Sequence, residues 1–201
     1  MKKFGKIVII CLCLAVAAWF AMLIADRHTL SNDIIRLHVV GASNSEEDQQ
    51  VKLQVRDAVL NVLGTQQLDN VDQAKDSLEN LFPQLEQAAN QVLQDAGMSY
   101  QATVTLAREA FPAREYDTFS LPAGVYESLR VTIGEGEGKN WWCVVFPSLC
   151  LPATSAEFED TSVGAGFSDT LTDTLQQEQG YELRFFFLDC LGWLQNLFHR
   201  G

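Results

Sequence analysis

Leu129-Arg130-Val131-Thr132-Ile133-Gly134-Glu135-Gly136-Glu137-Gly138-Lys139-Asn140-Trp141-Trp142-Cys143-Val144-Val145-Phe146 is the stretch on which the fold turns. Leu129, Val131 and Ile133 alternate with Arg130 and Thr132, the two-residue period of a half-buried strand. Trp141 to Phe146 reads as a second strand. The seven glycine-rich residues from Gly134 to Asn140 join the two, which predicts a hairpin. The join resembles a phosphate-binding loop only in part. The first glycine of G-x-x-x-x-G-K-[ST] would fall on Ile133, Asn140 stands where Ser or Thr belongs, and Glu135 and Glu137 repel phosphate. Trp141 and Trp142 are adjacent, so they face opposite sides of their strand and a one-faced core cannot bury both. One ring needs cover from a tail helix, a loop or a partner, and Trp is favoured at binding hot spots.

Working upstream, Tyr100, Ala102, Val104 and Leu106 alternate with Gln101, Thr103 and Thr105, a further half-buried strand. Phe111 to Gly124 carries two prolines and reads as a loop or irregular edge. Ile34, Ile35, Leu37, Val39 and Val40 form a β-branched run ended by Gly41, a strand buried on both faces. His38 is a strand residue within it. Ser45, with Asp48 three residues on, resembles a capping box with a shortened acid, and Glu46, Glu47 and Asp48 suit the positive end of a helix. That helix carries Val51, Val55, Ala58, Val59 and Val62 on one stripe and stops at Gly64. A second helical run starts near Asp69 or Asn70, with Ala74, Leu78, Leu81, Leu85, Ala88, Val92 and Ala96 at spacings of three or four, and ends at Gly97. Pro83 either kinks it or opens a new helix. The order is β-α-α-β-β-β. It predicts an α+β fold over residues 31–151, a small, mostly antiparallel sheet with two or three helices on one face.

The flanks differ from this domain. Lys2, Lys3 and Lys6 precede an unbroken apolar run from Ile7 to Ala25, 19 residues, close to the ~20 that cross a bilayer. Residues 1–30 are therefore a signal peptide or a transmembrane anchor, with the chain beyond exported. Ala15-Val16-Ala17 and Ala25 offer cleavage points; uncleaved, residues 7–25 hold the chain in the membrane. Residues 152–180 have six acids and no Lys or Arg among many small polar residues, and read as a disordered acidic linker. Residues 181–201 form an amphipathic helix. Leu183, Phe187, Leu191, Leu194 and Phe198 line its apolar stripe, widened by Phe186, Cys190, Trp193 and Leu197, with Glu182, Asp189 and Asn196 opposite. It either packs back on the domain or docks on a partner or a membrane surface.

The net charge is -12. Residues 1–25 hold three Lys and no acid, which leaves 11 basic and 26 acidic residues, a net of -15, from Asp26 onward. That excludes the phosphate-neutralising surface of a nucleic-acid binder and a basic patch for anionic lipid. The chemistry-bearing residues are sparse. His28, His38 and His199 match no metal-ligand spacing. Gly41-Ala42-Ser43-Asn44-Ser45 lacks the last glycine of a nucleophile elbow, and Asp160-Thr161-Ser162 has serine where an aspartic-protease loop requires glycine. No cofactor, metal or small-molecule substrate is expected. Cys143 and Cys150 lie in the exported part, either as a disulfide across Pro147 or as two buried thiols.

Two segments carry a specific resemblance. Ile34 to Gln50, followed by Lys52-Leu53-Gln54-Val55-Arg56-Asp57-Ala58-Val59, is similar to the first signature of the stage II sporulation protein R family. Leu121-Pro122-Ala123-Gly124-Val125-Tyr126, then Leu129 to Gly134, then Gly136 to Cys150 resemble the second, the run N-W-W-C-V-x-F-P-x-L-C above all. The chain departs from the family's F-P-T-K-x-Y-G, having Phe111-Pro112-Ala113-Arg114-Glu115-Tyr116-Asp117. The resemblance implies a protein made in the forespore and exported into the space between two membranes. There it would activate a membrane-embedded aspartic protease that processes the precursor of sigma factor E, as a signal and not as an enzyme. Chemistry marks Trp141, Trp142, Asn140, Gly138, Arg114 and Tyr116 as the candidate partner-binding residues. The competing readings are an envelope hydrolase and a structural septal protein.

Overall fold

The computed structural model describes residues 2–66, 70–147, 155–176 and 183–199. Helix α1 (Lys2–Asp33) leads into β1 (Ile35–Val40), α2 (Glu46–Leu63), α3 (Val71–Asp95) and β2 (Ala102–Phe111). Then come β3 (Arg114–Glu115), β4 (Ser120–Leu121), β5 (Gly124–Ile133) and β6 (Asn140–Phe146). Three helices follow, α4 (Ser155–Gly164), α5 (Asp169–Gln176) and α6 (Leu183–His199). The fold is α+β, as the pattern predicts.

Four strands form one sheet in the order β2-β5-β1-β6, and β3 and β4 make a two-residue ribbon beside it. β1 runs parallel to β5 and antiparallel to β6, while β2 and β5 are antiparallel. The predicted hairpin between β5 and β6 therefore does not form. β1 lies between them, every residue of it buried. Alternation says which side a residue faces, not which strand lies next to it. A strand buried on both faces belongs in the interior of a sheet, where both of its edges find hydrogen-bond partners. The glycine-rich connection instead crosses the end of β1 and is stitched to the loop that follows it. Gly138 N–H donates to Gly41 O at 2.8 Å, Glu137 N–H to Ala42 O at 3.3 Å and Lys139 N–H to Asn44 Oδ1 at 2.9 Å. Lys52, buried on α2, reaches Lys139 O at 2.9 Å.

The first face of the sheet packs on α2 and α3. Ile35, Leu37 and Val39, Leu129, Val131 and Ile133, Ala102 and Val104, and Cys143 and Val145 point there. A bulge opposite Ile35 and Arg36 lets Phe146 join them. Ser45 caps α2 by accepting the Asp48 N–H at 3.1 Å, and Asn70 caps α3 by accepting the Gln73 N–H at 2.9 Å. The α3 helix runs unbroken through Pro83, and beyond Leu85 it buries Ala89 and Leu93, one position on from the predicted Ala88 and Val92. It closes at Gly97, whose φ of 74° permits the bonds Gly97 N to Gln94 O and Met98 N to Leu93 O.

The opposite face has a second core that composition did not reveal. Residues 155–176 of the expected disordered linker form α4 and α5, and Phe158, Phe167, Leu171 and Leu175 are buried. Those four side chains meet Phe111, Phe119, Leu121, Tyr126 and Val144 of the sheet and its ribbon. Small polar residues around them dilute the average; burial depends on where the apolar ones fall. Helix α1 belongs to this core as well. It continues past the expected boundary at residue 30 to Asp33, and Leu23 and Leu30 are buried. Arg27 bonds Tyr126 Oη at 3.3 Å and Gln195 Oε1 at 2.8 Å, and Ser31 Oγ donates to Val125 O at 2.8 Å.

Candidate functional site

Among the described residues, the second core covers one half of the second sheet face; the other half carries polar side chains, of which Arg36 and His38 are buried, with Trp142 and Tyr116 half-buried beside them. Strand register sets out the row Thr105, Arg130, His38, Trp142 across β2, β5, β1 and β6. Glu109, four residues further along β2 on the same face, ties the row together. Its Oε2 lies 3.1 Å from His38 Nδ1, and its Oε1 accepts from Arg130 Nη1 at 2.5 Å. Burial pushes the Glu109 carboxyl upward. The hydrogen bonds from His38 and Arg130 outweigh it and bring the pKa to about 2. Ser128 is near enough to favour the charged carboxylate but makes no hydrogen bond of ordinary geometry.

Trp142 stacks on His38, ring centroids 5.7 Å apart at 28°, and the Arg114 guanidinium lies 3.9 Å from its ring centre. One layer down, Arg36 is fully buried between the rings of Phe111, at 4.2 Å, and Tyr126, at 5.1 Å. Its Nη2 donates to Tyr116 Oη at 2.9 Å, and Tyr116 stacks on Phe119 at 4.6 Å. The β3–β4 ribbon thus sits over the β6 edge of this face and sets Arg114 and Tyr116 beside the strands.

The candidate partner-binding residues separate into three places. Trp142, Arg114 and Tyr116 share the polar half of the second face. Trp141 points the other way, half-buried on the α2/α3 core with Arg56 5.0 Å from its ring. Asn140, exposed, starts β6. Gly138 has a structural duty: a Cβ there would stand 2.3 Å from Ser43 O and 2.7 Å from Gly41 O, both backbone atoms. Cys143 is buried on the first face, and Cys150 lies outside the described residues. The Arg36, Glu109 and Arg130 cluster went unmarked in the sequence. Its signal was there, as charged residues at inward positions of alternating strands.

His38 Nε2 is buried with no hydrogen-bond partner among the described residues. Among the described residues, no group of three or more His, Cys, Asp or Glu is placed to hold a metal ion. Two crevices border α6. One of about 280 Å³ is lined by Phe111, Pro112, Asp189 and Trp193, and a shallower one of about 500 Å³ by Arg27, Arg108, Leu191 and Gln195.

A model of the stage II sporulation protein R family matches residues 31–156. The chain is 28% identical over 189 residues to the stage II sporulation protein R of Bacillus subtilis (strain 168), an alignment covering 84% of this chain and 83% of that protein. No solved structure matches. The matched segment opens at the end of α1, takes in the whole sheet with α2 and α3, and ends at the start of α4. The chain belongs to the stage II sporulation protein R family.

Proposed function

We propose that this chain is an exported signal of endospore formation, held in the forespore membrane by α1. From there it activates a membrane-embedded aspartic protease that processes the precursor of sigma factor E. Family membership carries this reading. The form of the molecule supports it: a helix long and apolar enough to cross a membrane runs without a break into a folded domain. Retention of α1, and not its removal, is favoured by Leu23, Arg27 and Leu30, which are buried in the second core on the same helix. The protease would be recognised through the polar half of the second sheet face, at Trp142, Arg114 and Tyr116. Trp and Arg are the residue types that dominate binding hot spots, and Trp142 is already positioned by His38 and Arg114.

The test is reconstitution in a host without sporulation genes. Protease and sigma precursor are expressed with and without this chain. Precursor cleavage that appears only with the chain is expected; cleavage indifferent to it ends the proposal. A variant without residues 1–25 should stay in the cytoplasm and fail to signal across the membrane.

A further inference from the structure

Helix α6 buries Phe185 and Leu188 in the second core and turns most of its other apolar residues outward. Its polar residues face the domain: Asp189 Oδ1 accepts the Ala123 N–H at 2.7 Å, and Asn196 Nδ2 donates to Phe111 O at 2.8 Å. Gly192 lies on the same inward side, where a Cβ would stand 1.5 Å from Ala123 O, so the helix is pressed against the start of β5. The apolar stripe faces out, with Phe186 42% exposed, Trp193 57%, Leu194 45%, Leu197 49% and Phe198 88%. Of the stripe expected from the sequence, Phe187 and Leu191 are half-buried while Leu194 and Phe198 are exposed, and the helix packs through the side that carries Phe185, Leu188, Asp189, Gly192 and Asn196. Apolar patches of this size on a soluble surface mark an interaction site.

What lies beside that stripe identifies its occupant. Phe187 meets Trp19 at 5.1 Å and Phe20 at 6.2 Å, and eight residues further on both helices Gln195 takes the Arg27 bond at 2.8 Å. The two helices therefore run side by side in the same direction. The apolar run of α1 ends at Ala25. Phe186 and Phe187 are thus level with its last turns, and Trp193 to Phe198 stand just past its end, where aromatic residues gather at membrane boundaries. Ile24 of α1, which is exposed, and Leu191 of α6 line one crevice between the two helices. Between Leu183 and His199 the one acid is Asp189, which is turned inward, although the chain from Asp26 onward is strongly acidic.

We propose that the outward apolar face of α6 rests in the headgroup–acyl boundary of the lipid bilayer beside α1, as a second membrane contact that fixes how the domain stands on the surface. The proposal rests on α1 being a retained anchor. It is tested on the full chain in phosphatidylcholine vesicles whose acyl chains are brominated near the headgroup. The chain has four tryptophans, and the variants W193F and W19F isolate the contributions of Trp193 and Trp19. With Trp193 within ~5–10 Å of the headgroup–acyl boundary, its emission should be about halved by the brominated lipid. Trp193 unquenched while Trp19 is quenched overturns the proposal and leaves the anchor standing. Both unquenched overturns the anchor and this proposal together. Trp193 shielded from brominated lipid and from aqueous acrylamide alike means that protein covers it, a second copy if the shielding depends on concentration, and also overturns the proposal.

Discussion

The two faces of the sheet are made by the same four strands and are built on different chemistry. Toward α2 and α3 the side chains of β1 are Ile35, Leu37 and Val39, all fully buried in one apolar cluster. Toward the other face the same strand presents Arg36 and His38, joined by Glu109 and Arg130 from its neighbours. The first face is a packed core whose stability comes from removing apolar surface from water. The second is half core and half polar surface, where hydrogen bonds and ring contacts hold Trp142, Arg114 and Tyr116 in place. A protein recognised by a partner gains from such a division, because one face can carry stability while the other is shaped for contact.

The comparison can be broken most forcefully at β1. Leu37→Ala removes a fully buried side chain on the first face and should destabilise the fold by about 2–5 kcal/mol in urea unfolding of the detergent-solubilised chain. On the second face the leverage is electrostatic. The folded pKa of Glu109, about 2, lies below its ordinary 4.5. The unfolded chain therefore binds the proton first as pH falls, and the stability due to Glu109 is complete above about pH 5 and lost toward pH 2. Wild type should lose up to ~3 kcal/mol across that window, and Glu109→Gln should lose correspondingly less. Gly138→Ala tests the crossing of the connection over β1. A methyl group against two carbonyl oxygens should destabilise by about 1–3 kcal/mol, whereas a free hairpin loop would tolerate it. Lys52→Met removes the bond to Lys139 O and should have the smallest effect, about 1 kcal/mol.

Much of the molecule was legible in the sequence, and the parts that were not have physical reasons. Alternation located the long strands, and Ser45 and Asn70 marked helix starts because a cap is a local interaction between residues three apart. Strand order is not local: nothing in Leu129–Phe146 says that β1 will slip between its two halves. Composition hid α4 and α5, since four well-placed apolar side chains suffice to anchor 22 described residues that are otherwise mostly small or polar. The amphipathic pattern of α6 is plain, but a pattern alone does not say which side of a helix faces the protein. For the candidate site, the opposite orientations of Trp141 and Trp142 followed from strand geometry alone. That Arg114 and His38 would meet Trp142 depended on the strand order, and so was not legible.

The central claim is that the polar half of the second face is what the partner reads. It is tested most directly by precursor cleavage in the reconstituted system, comparing Trp142→Ala and Arg114→Ala with Arg56→Ala on the opposite face, each checked for unchanged export and thermal stability. The account predicts that the first two lose most of the cleavage and that Arg56→Ala retains it. Wild-type cleavage with a folded, exported Trp142→Ala variant would contradict it.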